Sequence, residues 1–109
     1  MNRLIQILPC VIVFSMVGVP VYAVDAERGS QLARKCSVCH GRQGVARDPE
    51  VPNLAGQSAF YLEKTLKDFR DGTREDRRMT IMVRDLSDED IKDLAAWFES
   101  FVITVEDPS

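Results

Sequence analysis

The sequence predicts an all-α domain behind a short apolar leader, and three observations carry that expectation. Apolar residues recur at three- and four-residue steps in two long segments, one after Ser58 and one after Ser87. The stretches between them, Gly41 to Gln57 and Thr73 to Asp85, are rich in Gly, Pro, Asn and charge and read as loops. No stretch of the 109 residues shows the alternation of a half-buried strand.

The leader comes first. Met1-Asn2-Arg3 supplies one positive charge, Leu4 through Val21 is almost wholly apolar, and Val21-Tyr22-Ala23 places small residues where a signal peptidase reads. A retained membrane anchor is the competing reading, because the run is about long enough to span a bilayer. Pro9 and Pro20 interrupt it, however, and Ala23 offers a cleavage point. Residues 1–23 are therefore expected to leave as a signal peptide, taking Cys10 with them, and to deliver 24–109 to the periplasm with no stable membrane anchor.

Removing 23 residues from 109 leaves 86, enough for one domain with a modest core that a covalent or metal staple often supports. Arg3 is the leader's only charge, so 13 of the 14 basic residues remain against 17 acidic ones, a formal charge of −4. That sign disfavours nonspecific binding of nucleic acid.

Three helices are expected in the domain. Asp25 can cap the first, running to about Lys35, with Ala26 and Glu27 in its opening turn. Ser58 can cap the second, which runs through Asp71 and ends at Gly72. Phe60, Tyr61, Leu62, Thr65, Leu66 and Phe69 give it a broad apolar stripe. Ser87 starts the last helix with Asp90 as its capping partner. Ile91, Leu94, Ala95, Phe98 and then Phe101 or Val102 form its repeat.

The chemistry lies in Cys36-Ser37-Val38-Cys39-His40. A thioredoxin-type disulfide needs alternating strands and helices, which are missing here. A structural zinc site needs about four ligands, and His40 is the chain's one histidine. Covalent haem attachment is the specific reading of Cys-x-x-Cys-His. Residues three and four apart share one face of a helical turn, so Cys36, Cys39 and His40 can address one flat macrocycle. The two thiols add to vinyl groups, and the imidazole binds the iron.

On these residues the sequence resembles the class I c-type cytochromes, above all small bacterial members and single domains of the dihaem periplasmic cytochromes. The likeness takes in Gly29 and Leu32, the attachment turn, Gly41-Arg42-Gln43-Gly44 and Pro52-Asn53-Leu54-Ala55-Gly56-Gln57. It continues through Tyr61-Leu62, Gly72-Thr73-Arg74, Met79, Leu86 to Ile91, and Leu94 to Phe98. It implies helices packed around one covalently bound haem c. With a single attachment motif, this chain departs from the dihaem members and is expected to hold one haem.

The resemblance also implies particular roles. Gly29 is expected where the first and last helices cross, admitting the aromatic side chain of Trp97. The sixth iron ligand falls to Met79 or Met82, because Met1 and Met16 leave with the leader. Met79 is favoured by its position seven residues before Leu86, with Met82 as core filling. His/Met ligation raises the potential and leaves no open site, so the iron transfers electrons without bond chemistry. The Pro52 carbonyl is expected to accept the hydrogen bond that orients the proximal histidine, although Pro49 and Pro52 can equally serve to stiffen a loop. Tyr61 is a core residue by default, with a haem propionate as the alternative partner of its hydroxyl.

Arg42 and Arg47 read as solvated. Arg74, Arg77, Arg78 and Arg84 crowd the segment carrying Met79, either as a solvated face or as a positive patch steering an acidic partner. Three functional classes follow. The first is a periplasmic carrier shuttling electrons between redox proteins such as a membrane cytochrome complex and an oxidase or reductase. The second is the haem subunit of an oxidoreductase such as a flavocytochrome c sulfide dehydrogenase. The third, a ligand-binding or peroxidatic haem protein, is disfavoured by Met79. The expectation is therefore an electron carrier, not an enzyme.

Overall fold

The computed structural model describes residues 12–13, 15 and 17–108. The charged start at Arg3 and Cys10 lie outside the described residues. Helices α1 (Ala26–Leu32), α2 (Ser37–His40), α3 (Ala59–Asp71), α4 (Arg77–Val83) and α5 (Asp88–Glu99) follow in chain order. There is no strand among the described residues. None of the described helices is long and apolar enough to cross a membrane.

The ends of these helices are set by local chemistry. The Asp25 carboxylate accepts the Arg28 N–H at 3.0 Å and opens α1. That helix stops at Leu32, short of Lys35, and continues as turns into α2. Ser58 accepts the Tyr61 N–H, and Gly72 ends α3 in the left-handed conformation at φ 83°. Ser87 and Asp90 form a reciprocal capping box at α5, each side chain bonded to the other's backbone N–H at 3.0 Å.

One expectation fails here. The segment from Thr73 to Asp85 contains α4, whose cap is Asp76: its carboxylate accepts the N–H groups of Arg78 and Met79, both at 2.9 Å. Those two donors hold the Asp76 carboxyl below the usual carboxylate range.

Helix α5 is the centre of the fold, packed against α1 on one side and α3 on the other. Ile91 and Ala95 are 0 % exposed and Leu94 is 1 % exposed. Full burial of an Ile or Leu side chain contributes roughly 1.5–3 kcal/mol. Leu62, Phe69, Val83, Leu86 and Phe98 complete the core. Phe60 is 82 % exposed, so the stripe on α3 is narrower than its sequence suggests.

The α1–α5 crossing lies at Gly29 as expected, with its closest contact on the backbone of α5. A Cβ on Gly29 would lie 2.0 Å from the Asp93 carbonyl oxygen and 3.1 Å from Trp97 Cβ. Glycine is required there mainly by the backbone of α5, with the Trp97 stem second. The Trp97 ring instead meets Phe101 edge-on at 4.9 Å.

Candidate functional site

A cavity of about 790 Å³ opens beside α5 and brings the expected site residues together: Cys36, Cys39, His40, Pro52, Tyr61 and Met79 all line it. Four parts of the chain build it. The α2 turn supplies the two thiols and the imidazole, the 41–57 loop supplies Pro52, α3 supplies Tyr61, and α4 supplies Met79. Its inner wall includes Leu62, Leu66, Phe69, Leu94 and Phe98. Such a wall excludes water from a flat apolar group.

The α2 turn is held at both ends. Ser37 N–H and Cys36 N–H both bond the Ala33 carbonyl at 3.0 Å, and His40 N–H bonds the Cys36 carbonyl at 3.0 Å. Gly41 then turns the chain away at φ 82°, with its N–H on the Ser37 carbonyl at 3.1 Å. A Cβ on Gly41 would lie 2.0 Å from the Val45 carbonyl oxygen, so the turn after His40 needs glycine for space as well as for conformation.

His40 is buried at 6 % exposure, and its Nδ1–H donates to the Pro52 carbonyl at 2.8 Å. With Nδ1 so occupied, Nε2 is the ring nitrogen left for a metal. Asn53 steadies the loop that carries Pro52, its side-chain oxygen accepting the Ala46 N–H at 2.7 Å. The Gly44 carbonyl accepts Leu54 N–H at 2.7 Å and Ala55 N–H at 3.1 Å, and Gly56 N–H reaches the Phe98 carbonyl at 2.8 Å. The orienting carbonyl is thereby tied to α5.

Cys36 and Cys39 are not joined in a disulfide; Cys36 is half-buried and Cys39 exposed. Burial pushes the Cys36 thiol up, with Lys35 opposing it. Among the described residues no group of three His, Cys, Asp or Glu side chains converges to hold a bare metal ion. The donors that line the cavity fit a metal inside a macrocycle: two thiols for covalent bonds, one imidazole and two thioethers, Met79 and Met82, around an apolar slot.

Met79 is half-buried and Met82 is 39 % exposed, and both line the cavity. Met82 is thus not core filling, and its carbonyl accepts Lys35 Nζ at 3.2 Å. Tyr61 is 47 % exposed at the cavity wall, which corrects its expected place in the core. The Arg74 guanidinium, with Thr65, holds its hydroxyl below the usual tyrosine value. Arg74 itself lies 4.7 Å over the Phe69 ring. Sequence reasoning did not single out Arg74 as a cavity residue; its signal was the Gly72-Thr73 turn at the end of α3.

Asp93 was also missed. Grouped by sequence with the acidic surface of the last helix, it is 0 % exposed. It accepts Tyr22 Oη at 2.5 Å, Asp25 N–H at 2.8 Å and an Arg28 guanidinium nitrogen at 2.7 Å. Burial pushes this carboxyl up, and the donors Tyr22, Asp25 N–H and Arg28 outweigh it, so the group sits below the ordinary value. Arg28 also pairs with Asp90.

Comparison with known proteins agrees with this construction. The cytochrome c family model matches residues 26–101. Cytochrome c-554(548) of Halomonas halodenitrificans is 47 % identical over 81 residues, covering 72 % of this chain and 98 % of that protein. Cytochrome c4 of Pseudomonas aeruginosa is 38 % identical over 105 residues, 96 % of this chain. The crystal structure of reduced recombinant cytochrome c4 from Pseudomonas stutzeri superposes with a TM-score of 0.70 at 39 % identity, over 76 % of this chain. The chain spans about half the length of these cytochromes c4, 51 % and 48 %.

Proposed function

This chain belongs to the cytochrome c family, and from that premise we propose that it is an exported electron carrier with one haem c, held by Cys36 and Cys39 and ligated by His40 and Met79. Membership of the family implies covalent haem c and electron transfer, in place of catalysis. Bound haem supplies a one-electron couple at its iron. The single-haem, His/Met and periplasmic details are the finer reading.

One observation carries it: the two thiols, the imidazole and the thioethers of Met79 and Met82 line the same cavity, around the one attachment motif. Each protein group has a defined task. The Cys36 and Cys39 thiols would hold the group through thioether bonds and so prevent its loss. The Pro52 carbonyl keeps the Nδ1 proton of His40, fixing its tautomer and ring plane. Leu62, Phe69, Leu94 and Phe98 exclude water. Met79 would be the second protein ligand of the iron, leaving electron exchange with other redox proteins as its chemistry.

The test is attachment. Haem should remain with the chain through denaturing electrophoresis, and a mature protein that releases it into acidified organic solvent would overturn the reading. Cys36→Ala or Cys39→Ala should cripple maturation, and His40→Ala should leave little stable holoprotein. Gel filtration of protein from its own host then separates a free shuttle, which elutes small and alone, from a subunit that co-elutes with a flavoprotein.

A further inference from the structure

The fully buried Asp93 carboxylate is met by a segment that signal cleavage would cut. Its Oδ2 accepts Tyr22 Oη at 2.5 Å, and its Oδ1 accepts the Asp25 N–H at 2.8 Å. Cleavage after Ala23 falls between those two donors. Hydrolysis by a signal peptidase adds water across the Ala23–Val24 peptide bond. It leaves a carboxylate on the departing Ala23 and an ammonium on Val24.

The consequence for Asp93 is the loss of the Tyr22 hydroxyl. The Asp25 N–H and the Arg28 guanidinium remain on Asp93, and the place of the third donor is left open. The replacement is close at hand. The Val24 nitrogen is one residue from the Asp25 N–H that already touches Asp93, a chain step of about 3.8 Å. Val24 and Asp25 are both exposed, so water and a partner can reach the new terminus.

The local charge favours the exchange independently. Asp25 faces the site from the α1 cap and Asp90 and Asp93 from α5, while Arg28 on α1 is the cation that pairs with the two α5 carboxylates. Lys92, the neighbouring cation on α5, makes no ion pair here among the described residues. Three carboxylates against one guanidinium leave a deficit of positive charge. Tyr22, a neutral donor, does not fill it. An ammonium does.

We propose that Asp93 is a built-in binding site for the α-ammonium of the processed chain: cleavage removes the Tyr22 hydroxyl and the new Val24 terminus takes its place. The N-terminus is thereby locked to α5 at the α1 crossing. This inference rests on cleavage after Ala23, and its test separates the two claims.

The mass of purified holoprotein is measured first. A chain that does not begin at Val24 overturns the cleavage reading and this inference together. With Val24 confirmed, the α-amine is reductively methylated with ¹³C-formaldehyde and its carbon resonance is titrated. The ammonium is expected to titrate above about 9, against an ordinary α-amino range of about 7.7–8.0. An ordinary value in the wild type overturns the inference and leaves the cleavage reading standing.

The sign for stability follows. An ammonium whose folded pKa is raised contributes below its unfolded value, and that contribution is lost as pH rises through the folded one. Thermal stability of the wild type should therefore fall between about pH 8 and 10, and Asp93→Asn should lose this step. Should Asp93→Asn fail to fold, Gly-Ser inserted between Ala23 and Val24 displaces the ammonium while keeping the carboxylate. That variant should titrate as an ordinary terminus, and a value still raised would overturn the proposal.

Discussion

At the α1–α5 crossing, Gly29 lies against the Asp93 carbonyl, and Ile91, Asp93 and Ala95 are 0 % exposed. Across the cavity, α4 buries Val83 alone, with Ile81 59 % and Met82 39 % exposed. The first region is complete as protein. It has backbone contact, a buried charge with its donors, and side chains packed from two helices. Among the described helices the second packs against α3, and it places Met79 and Met82 in the cavity lining. Protein-only contacts hold the back of the molecule, and the front is arranged around a group of another kind.

The largest effect should come from closing the space at the crossing. In Gly29→Ala the new Cβ meets a backbone oxygen at 2.0 Å, so the helices must separate. Overpacking of this kind costs about 1–3 kcal/mol and occasionally more, against a helix-propensity gain of about 1 kcal/mol. The clash wins because the obstructing atom is backbone and cannot rotate away. Denaturant unfolding should show a clear loss of stability. Wild-type stability in Gly29→Ala would mean that the crossing is looser than its geometry indicates.

The front should respond differently, in spectrum before stability. Met79→Ala should abolish the weak sulfur-to-iron band in the far red and open the iron to carbon monoxide while far-UV helicity persists. Met82→Leu should keep the band, since a volume-conserving swap costs under about 1.5 kcal/mol. The reverse pattern would move the ligand to Met82. A smaller effect is expected from Asp76→Ala, which removes the two hydrogen bonds opening α4, one of them to Met79 N–H. Its band should fade at a lower temperature than the wild type's, with α5 unaffected.

The two regions also differ in how far they could be read from sequence. Local signals were sufficient where a side chain bonds its own helix end, as Asp25, Ser58 and the Ser87–Asp90 pair do. The attachment turn and the His40–Pro52 contact followed the motif and the resemblance. Helix α4 was passed over although Met79, Met82, Val83 and Leu86 stand at i, i+3, i+4 and i+7, because the run is short and stands among arginines. The Asp76 cap was a second sign of it. Asp93 was hidden for a different reason. Helix α5 is covered on two sides, so its buried arc is wider than a single amphipathic stripe, and a charged residue on that arc looks like surface until α1 is in place.

The smallest expected effect concerns the outside of the front region, and the structure narrows which charges can produce it. Arg84 pairs with Asp85 at 3.4 Å and Arg74 is engaged with Phe69 and Tyr61. Arg77 and Arg78 are exposed on α4 and form no ion pair among the described residues. On α5, by contrast, Asp88, Asp90 and Asp93 are bound to Arg70 and Arg28, with Arg70 holding the Asp88 carboxyl below its usual range. Two uncompensated positive charges therefore stand on the helix that carries Met79, in a chain that is acidic as a whole. Rim charges act chiefly on association rate. Arg77→Glu with Arg78→Glu should slow electron transfer to an acidic natural partner at low salt, with the Met79 band intact. The difference should shrink as the Debye length falls from about 30 Å at 0.01 M to about 10 Å at 0.1 M. Equal rates at low salt, with the band retained, would reduce these arginines to solvation and leave the front region without a steering charge.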